Sequence, residues 1–265
     1  MIEDAGFVFV LVRPRQAGNV GAVARALKNC GMGGLRIVAD ADPKTIRAAR
    51  MMAVHAADVL ADARVYPSLA DALADCNVAI GTTARGGPYR AGARTPRDVA
   101  ANLCAEARTN RVAIIFGPED RGLTNDELKN CHRLITIPTD PAYSSLNLAQ
   151  AVMVVAYELR LAALDAARDT AADDASTDVL PLRRAGAADV DAMFDRLSRA
   201  LLTIGFLPED NPDHLMFTLR EVFGRAGLSP RELDILSGIA RQIEWFATGG
   251  HLTIADKRRA GRRVK

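Results

Sequence analysis

The pattern of apolar and polar residues divides the chain into two parts with different predicted structure. In the first part, short uncharged runs such as Phe7–Val12 and Val112–Phe116 alternate with longer segments in which apolar residues recur every three to four positions. Strands that are apolar throughout are typical of parallel sheets covered by helices on both faces. We therefore predict an α/β fold with strands at 7–12, 35–38, 77–80, 112–116 and 134–137. The predicted helices span 19–29, 43–60, 68–74, 96–107, 124–130 and 146–167.

The second part shows helical periodicity alone. Residues 166–188 are rich in Ala, Asp and Thr, contain Pro181 and have little pattern, which is typical of a linker. Beyond them, three amphipathic helices are expected, one of which begins at Ser229-Pro230, a helix start signal with proline at the first helical position. We predict an α/β domain over 1–167, a linker over 168–188, a helical domain over 189–256 and a basic tail over 257–265.

Composition narrows the possible functions only slightly. The net charge is +2, but four arginines and no acid lie between residues 82 and 97, and six basic residues lie between 257 and 265. Such clusters indicate contact with a polyanion, or else solvated surface. The four cysteines form no CxxC pair and the four histidines are scattered, so a metal site is not expected. Neither a signal peptide nor a run of about 18 apolar residues is present, and we expect a cytoplasmic protein with reduced thiols.

Several common catalytic and nucleotide-binding motifs are absent from the sequence. There is no G-x-G-x-x-G after the first strand, no G-K-[ST], no G-x-S-x-G and no H-E-x-x-H. A dinucleotide site, a P-loop, a hydrolase nucleophile elbow and a zinc peptidase site are therefore not expected.

Three other motifs lie where ligand sites form in open α/β sheets. They are N-x-G-x-x-x-R at 19–25, G-x-E-x-x-G-L at 117–123 and S-S-L-N-L-A at 144–149. The second and third follow predicted strands, and the first opens a helix whose free N–H groups attract anions. Each also has an ordinary explanation: Asn19, Ser144 or Ser145 could cap a helix, Glu119 could cap the next one, and Arg25 could be a surface arginine.

Taken together and in this order, the motifs resemble those of the ribose 2′-O branch of the SPOUT superfamily of RNA methyltransferases. The resemblance covers roughly residues 7–161. The Y-S-S-L-N-L-A form of the third motif, with segments 201–206 and 232–236 of the helical part, is similar to the TrmJ family of tRNA methyltransferases. That family methylates the 2′-hydroxyl of nucleotide 32 in the tRNA anticodon loop.

The resemblance implies a parallel sheet whose C-terminal segment forms a deep trefoil knot, which general topology rules would not predict. S-adenosylmethionine would bind in the knot in a bent conformation, and the enzyme would be a homodimer whose active sites are each built from both chains. The residues matching the family's cofactor contacts are Thr82, Thr83, Ala84, Gly117, Ile137, Ser144, Ser145 and Leu146.

Arg25 matches the arginine thought to activate the ribose hydroxyl. A guanidinium has a pKa above about 12, so it is a poor general base. It would either lose a proton transiently near a phosphate or stay charged and stabilise the developing alkoxide, and the second role is favoured. By the same resemblance, Asn19 would hold the loop, Glu119 would orient Arg25 or an RNA group, and Ser145 and Asn147 would complete the pocket.

One residue departs from the family pattern: many relatives have an acid at the end of the first strand, where this chain has Arg13. Clustered basic residues suggest salt-dependent contacts with tRNA phosphates. The candidates are Arg13, Arg15, Arg85, Arg90, Arg94 and Arg121. The alternatives are methylation of another tRNA position or of ribosomal RNA, a non-catalytic RNA-binding module, and an unrelated metabolic α/β enzyme.

Overall fold

The computed structural model describes residues 6–40, 47–84, 92–172, 183–208 and 210–250. The chain divides into two compact units, Met1–Ala188 and Asp189–Lys265. Within the described residues, no helix has the length and apolar character needed to cross a membrane.

A parallel sheet of six strands forms the centre of the first unit, in the order β3-β2-β1-β5-β4-β6. The predicted α/β fold with a parallel sheet is confirmed. The strands are β1 Phe7–Val12, β2 Leu35–Val38, β3 Arg64–Tyr66, β4 Val78–Thr82, β5 Val112–Phe116 and β6 Arg133–Ile135.

Successive residues of a strand point to opposite sides of the sheet, and here the residues on both sides are mostly apolar. Helices therefore cover both faces. On β1, Phe9 and Leu11 belong to the core under the helices that hold Val20, Leu103 and Val152, whereas Val8 and Val10 face a second core. The helices of this unit are α1 Ala17–Asn29, α2 Arg47–Ala53, α3 Ala57–Asp62, α4 Leu69–Leu73, α5 Pro96–Ala107, α6 Asn125–Leu128 and α7 Leu148–Ala172.

Some element boundaries differ from the sequence prediction. Strand β3 was not predicted, because it is short and polar and lies at the sheet edge. The single helix predicted over 43–60 is interrupted at Val54, whose φ is +49°, so that α2 and α3 are separate. The last strand ends at Ile135 rather than at Ile137, which therefore lies in the following loop.

The described end of the predicted linker, at Arg184, is held to the rest of the first unit by hydrogen bonds. The Arg184 N–H donates to the Asn110 side chain (2.8 Å), and the Asn77 amide donates to the Arg184 carbonyl (3.0 Å). The Glu106 carboxylate, which is largely buried, accepts from Arg184 (3.0 Å) and from Arg133. Helix α7 continues to Ala172, and residues 173–182 of the predicted linker lie outside the described residues.

The second unit contains α9 Pro212–Ala226, α10 Pro230–Ala247 and most of α8 Ala187–Thr203. Helix α10 starts at the predicted signal, with a capping box between Ser229 and Glu232. Arg220 lies over the Phe194 ring, 4.5 Å from its centroid, and pairs with Asp191 at 2.6 Å. Several apolar residues of the helical pattern are exposed rather than buried, namely Ile204, Leu215, Val222, Ile239 and Phe246. The predicted tail over 257–265 lies outside the described residues.

Candidate active site

A cavity of about 250 Å³ lies at the carboxyl ends of β4, β5 and β6, between the loops that follow these strands. This is where open α/β sheets place ligand sites. All eight residues that the sequence suggested as cofactor contacts line it: Thr82, Thr83, Ala84, Gly117, Ile137, Ser144, Ser145 and Leu146. The structure therefore brings together residues from three separate segments of the sequence.

The glycines of the second motif allow its loop to fold back on itself. A Cβ atom on Gly117 would lie 2.3 Å from the Gly122 carbonyl carbon and 2.3 Å from the Leu123 nitrogen. Gly122 has a φ of +66°, a conformation that favours glycine, and its N–H donates to the Pro118 carbonyl at 2.8 Å. The spacing of the two glycines thus sets the shape of one wall of the cavity.

The Glu119 carboxylate joins this loop to the start of α1. It accepts hydrogen bonds from the Arg15 N–H (2.8 Å), the Asn19 side-chain amide (2.7 Å) and the Gln16 N–H (3.4 Å). Burial disfavours the charged form, but these donors outweigh it and lower the pKa of Glu119 below its ordinary value. Glu119 is therefore an ionised anchor at a helix N-terminus, where a negative charge is favoured. It was expected to orient Arg25 or an RNA group, but its contacts are with Asn19 and this loop.

Asn147 caps helix α7. Its side-chain oxygen accepts from the N–H groups of Ala149 (2.9 Å) and Gln150 (3.4 Å). The prediction that Ser144 or Ser145 caps this helix was wrong, because the helix begins three residues later than Ser145. The two serines are exposed and line the cavity instead.

Asn19 links the first motif to the other two. Helix α1 begins at Ala17, so Asn19 lies in the first turn and is not the cap that the sequence suggested. Its amide donates to Glu119, and its side-chain oxygen accepts from the Asn147 amide at 3.0 Å. The chain Glu119–Asn19–Asn147 thus connects all three motifs by side-chain hydrogen bonds.

Gly21 allows a close approach between two helices. A Cβ atom there would lie 1.9 Å from the Ala49 carbonyl oxygen and 2.9 Å from the Ala53 nitrogen, both on α2. The sequence suggested close approach of another chain segment or a ligand, and in the structure it is α2 that packs against Gly21.

Arg25 lies apart from the cavity. Its side chain is exposed and lines an open groove between α1 and α7. It lies six positions after Asn19 on α1, which places it about 9 Å further along the helix axis. The other residues of the groove are Ala22, Ala26, Asn29, Ala149, Gln150, Met153 and Val154.

Two of the predicted RNA-contacting arginines form ion pairs, one with a carboxylate inside the second motif and one with a carboxylate just after it. Arg13 pairs with Glu127. Arg15 pairs with Asp120 at 3.1 Å, and this hydrogen bond lowers the pKa of the Asp120 carboxyl. Asp120 lines the cavity, although sequence reasoning did not select it. Its position directly after Glu119 was the available signal.

The other predicted RNA-contacting arginines are distributed differently. Arg121 is exposed and lines the cavity. Arg94 is exposed next to β6, where its N–H donates to the Leu134 carbonyl at 3.1 Å. Arg85 and Arg90 lie outside the described residues. In the part of the chain that is described, no group of three or more His, Cys, Asp or Glu residues could hold a metal ion.

Comparison with known proteins agrees with this geometry. Residues 6–157 match the SpoU rRNA Methylase family, and residues 188–258 match the C-terminal domain of the tRNA methyltransferase TrmJ. The tRNA (cytidine/uridine-2′-O-)-methyltransferase TrmJ of Salmonella typhimurium is 40% identical over 237 residues, which cover 89% of this chain and 95% of that protein. The tRNA (cytidine/uridine/adenosine-2′-O-)-methyltransferase TrmJ of Pseudomonas aeruginosa is 39% identical, covering 91% and 94%.

Among solved structures, TrmJ from Z. mobilis ZM4 is similar with a TM-score of 0.73 and 32% identity, covering 89% of this chain and 98% of that one. The chain therefore belongs to the SpoU family of RNA methylases. The match to the TrmJ C-terminal domain and the similar relatives place it, within that family, in the TrmJ group of methyltransferases.

Proposed function

We propose that this protein transfers a methyl group from S-adenosylmethionine to the ribose 2′-hydroxyl of nucleotide 32 in the tRNA anticodon loop. The observation that carries the proposal is the single cavity in which all eight suspected cofactor contacts meet, in a chain of the TrmJ group. The proposed substrate, tRNA, places the enzyme in the cytoplasm.

The residues of the cavity fit this methyl donor. Its apolar lining, including Ile137 and Leu146, suits an adenine ring, and the backbone groups of the surrounding loops can read the ring edge. When bound, the cofactor supplies a methyl group on a positively charged sulfonium. The ionised Glu119 carboxylate near the cavity favours that positive charge. The trefoil knot implied by the three motifs is part of this proposal, and the chain's membership of the SpoU family supports it.

Arg25 acts on the ribose rather than on the cofactor. Because it is exposed and outside the cavity lining, it is available to RNA without displacing the methyl donor. A permanently charged guanidinium stabilises the negative charge that develops on the 2′-oxygen as its proton leaves. The network of Asn19, Glu119 and Asn147 fixes the helix on which Arg25 lies.

A homodimer explains why Arg25 and the cavity lie on different parts of one chain. The Arg25 groove between α1 and α7 is flanked by exposed apolar residues of α7, among them Val154 (37% exposed) and Tyr157 (53%). We propose that a second copy covers this face by two-fold symmetry and brings its own cavity to Arg25.

A transfer assay tests the function directly. The protein is incubated with labelled S-adenosylmethionine and unmodified tRNA carrying cytidine, uridine or adenosine at position 32, and the products are mapped by mass spectrometry. Ribose methylation at nucleotide 32 supports the proposal. Methylation of another tRNA position or of ribosomal RNA would support the alternative substrates, and binding of RNA without transfer would indicate a non-catalytic module.

The role of Arg25 is tested by separating binding from transfer. Arg25→Ala is expected to bind S-adenosylmethionine as tightly as the wild type and to lose transfer by roughly a hundredfold or more, as when an oxyanion-stabilising group is removed. Loss of cofactor binding in this variant would mean that Arg25 has a structural role.

A further inference from the structure

Arg13 has an unusual backbone conformation at the end of β1. Its φ is +46°, in the left-handed region that residues other than glycine rarely adopt. Its N–H nevertheless continues the sheet by donating to the Val38 carbonyl at 2.8 Å. Backbone strain of this kind persists where the surrounding contacts enforce it and is concentrated near functional sites.

The partner of Arg13 is held rigidly. Glu127 lies in α6, and its side chain is only 10% exposed. One of its carboxylate oxygens pairs with Arg13, and the other accepts from the Thr124 N–H at 2.8 Å as part of a capping box. The next residue, Leu128, is buried in the core. The carboxylate is therefore fixed before it meets the guanidinium.

The loop after β1 is consequently held at two points by the segment that follows β5. Glu127 holds Arg13 at the start of the loop, and Glu119 accepts the N–H groups of Arg15 and Gln16 at its end. The direction in which the chain leaves β1 determines whether these two N–H groups reach Glu119.

We infer that Arg13 is a positioning residue: its ion pair with Glu127 and its left-handed backbone aim the loop so that Glu119 and Asn19 are held in place beside the cavity. This reassigns Arg13, which the sequence suggested as an RNA contact. The Glu127 carboxylate offsets the positive charge of the paired guanidinium at close range, so the pair attracts an RNA phosphate less strongly than an unpaired arginine would. The activity readout below rests on the whole proposed function, whereas the cofactor-affinity readout rests only on its methyl donor and not on the RNA substrate.

A double-mutant cycle tests this inference in the full-length protein. Arg13→Ala removes the guanidinium, and Glu127→Gln removes the charge but keeps an acceptor for the capping box. Each single variant is expected to lower kcat by about tenfold, and the double variant by no more than a single one, because both remove the same contact. The affinity for S-adenosylmethionine, measured by calorimetry without RNA, is expected to fall by one common factor in all three variants.

Two further variants separate positioning from stability. Arg13→Gly also removes the ion pair, but glycine adopts the left-handed backbone conformation without strain. This variant should therefore melt at a higher temperature than Arg13→Ala and yet transfer methyl groups equally slowly. Arg13→Lys should recover part of the activity. Arg168→Ala, which breaks an exposed ion pair with Asp165 on α7, serves as the control and should change neither readout by more than about twofold.

The outcomes distinguish the competing roles. If Arg13→Ala weakens tRNA binding and reduces its salt dependence while Glu127→Gln changes nothing, Arg13 contacts RNA and the inference fails. If the effects of the two single variants multiply in the double variant, the two residues act independently and the inference also fails. If the wild type methylates no tRNA but the cofactor affinities still show the common factor, the proposed function fails while the positioning role stands.

Discussion

Replacing Gly21 by alanine tests whether the glycine of the first motif is required for packing of α2 on α1. The new methyl carbon would lie 1.9 Å from the Ala49 carbonyl oxygen, 2.8 Å from the carbon of the same carbonyl and 2.9 Å from the Ala53 nitrogen. Ordinary contact begins at 3.4 Å, so α2 would have to move by at least 1.5 Å. All three neighbours are backbone atoms, which cannot rotate away as a side chain can.

The expected loss of stability follows from two opposing effects. Overpacking of this severity costs about 3 kcal/mol, and the better helix propensity of alanine returns about 1 kcal/mol. The net loss is about 2 kcal/mol, which corresponds to a fall in Tm of roughly 4–8 °C for a unit of this size. Because α1 also carries Asn19 and Arg25, methyl transfer should slow at temperatures at which the protein remains folded.

Gly18, three residues earlier on α1, provides a matched control. A Cβ atom there would meet only the Met52 Cγ, at an ordinary distance of 3.6 Å. Gly18→Ala should therefore leave the free energy of unfolding unchanged or raise it by up to about 1 kcal/mol. The Tm of both variants is measured by calorimetry, and Gly21→Ala is expected to melt at the lower temperature. Equal Tm values for the two variants would refute the packing argument.

Three further predictions concern the hydrogen-bond network and the two ion pairs of Glu106. Asn19→Ala and Asn147→Ala should each slow methyl transfer by roughly tenfold. Because both variants lose the same hydrogen bond, the double variant should be slowed by less than the product of the two single effects. A double variant slowed by the full product would contradict the network. The lowered pKa of Glu119 means that its contribution to stability is present above the ordinary carboxyl pKa of about 4.3 and is lost as pH falls through the folded-state value. Glu119→Gln should consequently be less stable than the wild type at pH 7, with the difference shrinking in acid; parallel Tm curves from pH 3 to pH 7 would speak against this. Glu106→Gln leaves two partly buried arginines without a counter-charge and should lower the denaturant-derived free energy of unfolding by about 3 kcal/mol, whereas a loss below about 1 kcal/mol would show that solvent already screens them.

The sheet was readable from the sequence because its strands are apolar on both faces. Strands such as Phe7–Val12 and Val112–Phe116 lie where the pattern places them. Strand β3 was missed because Arg64–Tyr66 is three residues long and partly exposed, so it lacks that signal. The two helix starts were misjudged because several polar residues near each start can cap a helix, and local sequence does not decide which one does.

The residues of the site were recognisable, but their contacts were not. Motif order selected Asn19, Glu119 and Asn147, yet the bonds that join them span 100 and 128 positions of the chain. Such pairings depend on the crossing of strands in the sheet, which spacing along the chain does not encode. For the same reason the sequence suggested Arg13 only as an RNA contact and did not reveal its pairing with Glu127, 114 positions away.

The central claim is that the cavity of one chain works with Arg25 of the other. It is tested most directly by mixing two inactive variants, Arg25→Ala and Ile137→Trp, the second of which fills the cavity, after co-refolding to exchange subunits. Mixed dimers would then contain one intact site, and the mixture should recover about a quarter of the wild-type methylation of tRNA. A mixture that stays as inactive as its components, although mixed dimers are present, would contradict a site shared between two chains.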